Sequence, residues 1–177
     1  MKNICSEQSL SQLVQDYQAA KQLDETTMVQ SQIAIVQSLK ALGTPAAIAQ
    51  LGELMINGVN HEYMDFALPG ALADLLPQPE QQSAAISALV QGILHGQSET
   101  LQTVCIRKLL QAGYFALYPI LIDYRNFLLL DQAHRPPYWA SLLSTVSDAI
   151  TNLHPYIDPA HQADVQHLWL NQPITLP

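Results

Sequence analysis

Four groups of residues have the types and spacing for chemistry. His161, Asp164 and His167 recur every third residue. On a helix that spacing keeps two imidazoles and a carboxylate on one broad face, a set that a metal ion can use. His154 and Asp158 lie close by in sequence. Asp123-Tyr124-Arg125 joins a carboxylate, a phenol and a guanidinium in three consecutive positions. Glu62 and Asp65 form a carboxylate pair that can divide acid and base roles. Each group also has a plainer reading. Dedicated zinc sites use tighter motifs such as HExxH or CxxC. Histidines on an amphipathic helix mostly face solvent, and Asp123 with Arg125 reads as a local ion pair or a loop cap. The chain has no glycine-rich phosphate loop, nucleophile elbow or Cys/His pairing signature. We expect no enzyme, no metal site and no cofactor.

Charge narrows the partner. The net charge is −8, which disfavours a nucleic-acid backbone. No Lys or Arg occurs between Ala41 and Ile106, a span that holds Glu53, Glu62, Asp65, Asp74, Glu80 and Glu99. None occurs from Pro136 onward either. Such a surface attracts a basic protein; the plainer reading is an acidic, soluble cytoplasmic protein with no such partner. Cys5 and Cys105 belong to no CxxC, and Cys105 falls on an apolar helical stripe as a core residue. The first residues, MKNICSEQSLSQL, contain no apolar signal region, and no segment reaches the length of a membrane span. A cytoplasmic protein without membrane contact is expected.

The elements that must position these residues are helices. Charged residues are 12% of the chain, Gly is scarce, and no period-2 run of β-branched residues appears. The stretch Met28–Val59 is the clearest. Met28, Ile35, Leu39 and Leu42 share one helical stripe, widened by Val29, Ile33 and Val36. Gly43 stands where a helix stop needs positive φ, Thr44 is a helix N-cap, and Pro45 fits a first helical position. Ile48, Leu51, Leu54 and Met55 make the second stripe. This hairpin leaves apolar surface uncovered and needs neighbours.

Elsewhere the pattern predicts helices over Ser9–Leu23, His61–Leu76, Glu80–His95, Ser98 to Ala112, Tyr114–Leu130, Tyr138–Leu153 and Ala160–Asn171. Asp24 to Thr27 breaks the first helix and caps the next. Pro69-Gly70 should kink or split the His61 helix, and Pro119 should delay the Tyr114 helix to about Leu117. In Glu80–His95 the inward residues are Ile86, Leu89, Val90, Ile93 and Leu94. Gln172–Pro177 reads as an extended or disordered tail. That makes nine helices in one domain, residues 1–171: an N-terminal helix and four pairs starting near 27, 61, 98 and 137.

The string Gly43-Thr44-Pro45-Ala46-Ala47-Ile48, followed by Leu51, resembles the inter-helix corner of HEAT repeats, closest to the short bacterial kind. A weaker copy places Gly113 at the position of Gly43, Tyr118 at that of Ile48 and Leu121 at that of Leu51, with Pro119 where many repeats carry a second proline. Tyr114 and Phe115 depart from the polar-Pro pair, and the intervening repeat lacks a glycine corner. The resemblance covers about half the chain. It implies an all-α fold of helical hairpins stacked as a short right-handed superhelix. The alternative is an irregular orthogonal bundle of the same helices. In that family the second helix of each pair lines the concave binding face. Here that implies Pro45–Asn57, Glu80–His95, Leu117–Leu130 and Ala160–Asn171, with Gln50, Glu53, Asn57, Tyr118, Asp123, Tyr124 and Arg125 as partner-binding positions; Glu62 joins them as an acidic position. Most aromatic residues, Tyr63 and Phe66 among them, are expected in the core, with Tyr114, Tyr118 and Tyr124 carrying a polar tip into a groove.

The leading expectation is a non-enzymatic protein-binding module. Its most specific form is an acidic immunity or inhibitor protein for a basic toxin. A chaperone or assembly factor with an apolar groove is the second reading. A metal-dependent enzyme using the His-rich C-terminal helix is the third.

Overall fold

The structure is a computed structural model. It describes residues 2–57 and 61–157, with the backbone alone for 2–9. The described residues form eight α-helices and no strand: α1 Lys2–Ala20, α2 Glu25–Leu42, α3 Pro45–Asn57, α4 Met64–Ala73, α5 Pro79–His95, α6 Glu99–Gln111, α7 Leu117–Leu130 and α8 Trp139–Leu153. A 3-10 turn, His154–Tyr156, follows α8. The expected helix Ala160–Asn171 and the tail 172–177 lie outside the described residues. The chain divides after Lys108, within α6, into two compact units.

In the first unit, the α2–α3 corner forms as its residues dictate. Asp24 accepts the Thr27 N–H at 3.2 Å and opens α2. Gly43 closes α2 at φ 58°, in the left-handed region, and its N–H bonds the Lys40 carbonyl. Thr44 Oγ1 accepts the Ala47 N–H at 3.2 Å, and Pro45 begins α3. The second positive-φ glycine is Gly113, at 69°. α1 packs on α2. α2 lies against α3 and α4, and α5 lies against α3 and α4. The core between them holds Val36, Leu39, Ile48, Leu51, Met55, Met64, Leu68 and Leu89.

Three sequence expectations are corrected here. The first helix begins at Lys2 and stops at Ala20, leaving Leu23 exposed. α4 runs through Pro69 without the split that was one of the two effects expected there. Proline in the second turn removes one N–H, the donor to the Asp65 carbonyl, and burial of Leu68, Pro69 and Leu72 offsets that loss. Leu75 and Leu76 sit beyond α4, in turns closed by bonds to the Leu72 and Ala73 carbonyls.

The third correction concerns α5. Its buried residues are Ala85, Ala88, Leu89, Gly92 and Ile93, while Ile86, Val90 and Leu94 are only half-buried. α5 buries small residues alongside Leu89 and Ile93, and Ala88 and Gly92 meet Gly52 and Met55 of α3. A Cβ built on Gly52 of α3 would lie 3.2 Å from Ala88 Cβ. One built on Gly92 would lie 2.7 Å from both Met55 Cε and Cys105 Sγ. Small side chains let the two backbones approach, and the Met55 and Cys105 sulfurs fill the space.

In the second unit α7 packs on α8. The regular part of α7 begins at Leu117, as Pro119 requires. Its buried face is Leu117, Tyr118, Leu121, Ile122, Tyr124 and Leu128, and α8 contributes Leu142, Val146, Ala149, Ile150 and Leu153.

Candidate protein-docking site

α4 begins at a corner rich in aromatic and acidic groups. Met64, Leu68 and Leu72 define its buried stripe. Phe66 stands two residues past Met64, about 200° around the helix, so it faces away from that stripe. Tyr63 precedes the helix. Tyr63 is 58% exposed and Phe66 55%. Both were expected in the core, and both stand in solvent. The signal was present in the spacing: neither fits the i, i+4 series of Met64, Leu68 and Leu72.

The corner is braced from two sides. The His61 ring stacks on Tyr63 at 5.1 Å, the planes 4° apart. His61 Nδ1 accepts the Tyr63 backbone N–H at 3.3 Å, and Nε2 lies 2.8 Å from Glu25 Oε1. These partners assign the neutral tautomer with hydrogen on Nε2, donating to the carboxylate. On the other side, Ser98 Oγ donates to Asp65 Oδ2 at 2.6 Å and accepts the Leu101 N–H at 3.0 Å. Burial pushes the Asp65 carboxyl above its usual range. The Ser98 bond opposes that rise and the Glu62 charge adds to it. Glu25, tied to His61, and Glu62 and Asp65, next to the rings in sequence, thus set carboxylates about two exposed rings.

The sequence-derived positions fall elsewhere, apart from Glu62, which is exposed at this corner. Gln50, Glu53 and Asn57 lie on α3, with Glu53 and Asn57 exposed and Asn57 Nδ2 donating to Glu53 Oε2 at 3.1 Å. Tyr118 and Tyr124 are buried, Tyr124 to 1% exposure, which corrects the expectation that they reach into a groove. They belong to the α7 face that packs inward: Tyr124 stacks with Phe127 at 5.9 Å, and Tyr118 tilts against His154 at 6.3 Å. Asp123 and Arg125 are half-buried, and burial pushes the Asp123 carboxyl up. His161, Asp164 and His167 lie outside the described residues, as does Asp158. Among the described residues no group of three or more His, Cys, Asp or Glu is placed to hold a metal ion.

Two further surface features lie outside this corner. A shallow cavity of about 290 Å3 is lined by Lys40, Ala41, Asp74, Leu75, Gln78 and Gln81. Lys40 Nζ bonds Asp74 Oδ2 there at 2.9 Å, so its main charges satisfy one another. In the second unit Phe115 stacks on Tyr156 at 5.1 Å, with both rings exposed. Leu129 and Leu130 are also exposed in that unit. Among the described residues, no helix is long and apolar enough to cross a membrane. Comparison with family models, with curated proteins and with solved structures returns no match.

Proposed function

We propose that this chain is a non-enzymatic protein-binding module that recognises a basic partner. An inhibitor or immunity role against a basic toxin is its most specific form. The observation that carries the reading is the pair of exposed rings, Tyr63 and Phe66, set among carboxylates on a chain of net charge −8. Exposed aromatic side chains concentrate binding energy, and like-signed flanking charge selects the partner. The architectural part of the proposal is that α2–α3 and α4–α5 are successive HEAT-like hairpins. The pairing of α2 with α4 and of α3 with α5 supports it. A reducing, cytoplasmic setting fits the thiol of Cys105, which is buried and in no disulfide.

Affinity capture from host lysate at low salt tests the reading, with Glu53→Lys and Glu62→Lys as charge-reversal controls. One basic protein, recovered in stoichiometric amount and lost on reversal, is the expected result. Capture that is indifferent to reversal and salt would replace it with the chaperone or assembly-factor reading. The exposed Phe115, Tyr156, Leu129 and Leu130 favour that second reading. Zinc analysis of the purified protein, with His161→Ala as control, tests the metal-enzyme reading.

A further inference from the structure

We infer that the Tyr63–Phe66 corner is the docking site for an arginine-bearing segment of a partner protein, an inference that rests on the protein-binding reading above. The chemistry of the corner selects the occupant. A planar guanidinium can stack on an exposed aromatic face and pair with a carboxylate at its edge. Tyr63 and Phe66 supply the faces, and Glu62, one residue before Tyr63, supplies an exposed carboxylate. The Tyr63 ring is held in advance by His61, itself tied to Glu25, so less ordering is required on binding.

Among the described side chains of the first unit, Lys40, Arg107 and Lys108 lie away from this end of α4. Lys40 is paired with Asp74, at the opposite end of α4. The nine residue-to-residue steps from Asp65 to Asp74 span about 13 Å of helix. Arg107 and Lys108 lie a similar distance along α6 from Ser98. Lys21 lies in the turn before α2, and Glu25, Glu62, Asp65 and Glu99 outnumber it. Nucleic acid and anionic lipid carry the wrong sign for such a corner, and a second copy of this acidic chain is repelled by its like net charge.

The test uses the full-length, isotope-labelled protein titrated with nona-arginine and, separately, nona-lysine. Amide shifts and affinity are read at low and high salt. The expected result is shift changes centred on residues 61–66, tighter binding of the arginine peptide, and a loss of about tenfold in affinity in the Tyr63→Ala/Phe66→Ala double variant. Glu62→Lys should weaken binding by a similar factor, and Glu80→Lys, on the exposed first turn of α5, by much less. Glu62→Lys keeps the test decisive if the double variant loses its helical circular dichroism. Equal losses from Glu62→Lys and Glu80→Lys, with shifts spread over the surface, would overturn the corner while leaving the acidic-binding reading standing. No binding of either peptide at low salt would overturn both.

Discussion

Ser98 Oγ lies 2.6 Å from Asp65 Oδ2, and this one hydroxyl joins the start of α6 to the start of α4. It also caps α6 by accepting the Leu101 N–H. Ser98→Ala removes both bonds and leaves a half-buried carboxylate without its donor. We expect a loss of about 1–3 kcal/mol, read as a lower urea midpoint at unchanged slope. Ser98→Thr keeps the hydroxyl and should retain most of the stability. Equal midpoints for wild type and Ser98→Ala would show that this link contributes nothing.

Asp65 also sets a pH dependence. Its folded-state pKa is raised, chiefly by burial. A raised carboxylate binds more protons folded than unfolded, so it costs stability above its folded pKa. That cost is relieved as pH falls through the folded pKa toward the unfolded value of 3.8. Asp65→Asn keeps an acceptor for Ser98 and cannot ionise. Relative to wild type, it should therefore gain more at pH 7 than at pH 4, in chemical denaturation at both values. Asp24 and Asp131 run the opposite way. Their carboxyls are lowered, chiefly by bonds from Thr27 and His134, and they favour folding until pH falls through their folded pKa. They are unchanged in the comparison and cancel. A difference that does not vary with pH would remove Asp65 as its source.

Gly92 and Gly70 should respond oppositely to alanine. A Cβ at Gly92 meets Cys105 Sγ and Met55 Cε at 2.7 Å, whereas at Gly70 nothing lies within 4 Å. Gly92→Ala should lose about 1–3 kcal/mol through overpacking, despite the better helix propensity of alanine. Gly70→Ala should gain about 0.5–1 kcal/mol. Thermal melts of both variants check the pair, and a Gly92→Ala variant as stable as wild type would mean that α3 and α5 do not pack this closely.

The Cys105 thiol is fully buried, and burial pushes its pKa up to about 12, with the Asp65 charge adding to the rise. It should resist iodoacetamide in the native protein at mildly alkaline pH and react only as the fold opens. Residue-resolved mass spectrometry after timed alkylation, with and without urea, measures this. Rapid native modification of Cys105 would place it outside the core.

Local chemistry determined much of this protein before any packing was known. Asp24, Gly43, Thr44, Pro45 and Ser98 start or stop helices through bonds and torsions that span at most four residues. A reading along the chain captures them for that reason, and the all-α class follows from the same signals. Leu39, Ile48, Leu51 and Cys105 are buried as their periodicity implies. Only the tertiary structure decided which face of a helix prevails when several would serve. α5 buries Leu89 and Ile93 as their periodicity implies, but fills the rest of that face with Ala85, Ala88 and Gly92 rather than Ile86, Val90 and Leu94, because the small residues allow close approach to Gly52 and Met55. α7 carries Asp123, Arg125 and Asn126 among its apolar residues, and its packing decided that Tyr118 and Tyr124 turn inward. Tyr63 and Phe66 look like core residues by type. They stand in solvent because Met64, Leu68 and Leu72 hold the opposite side of α4 against its neighbours, a choice between faces that hydrophobicity alone does not make.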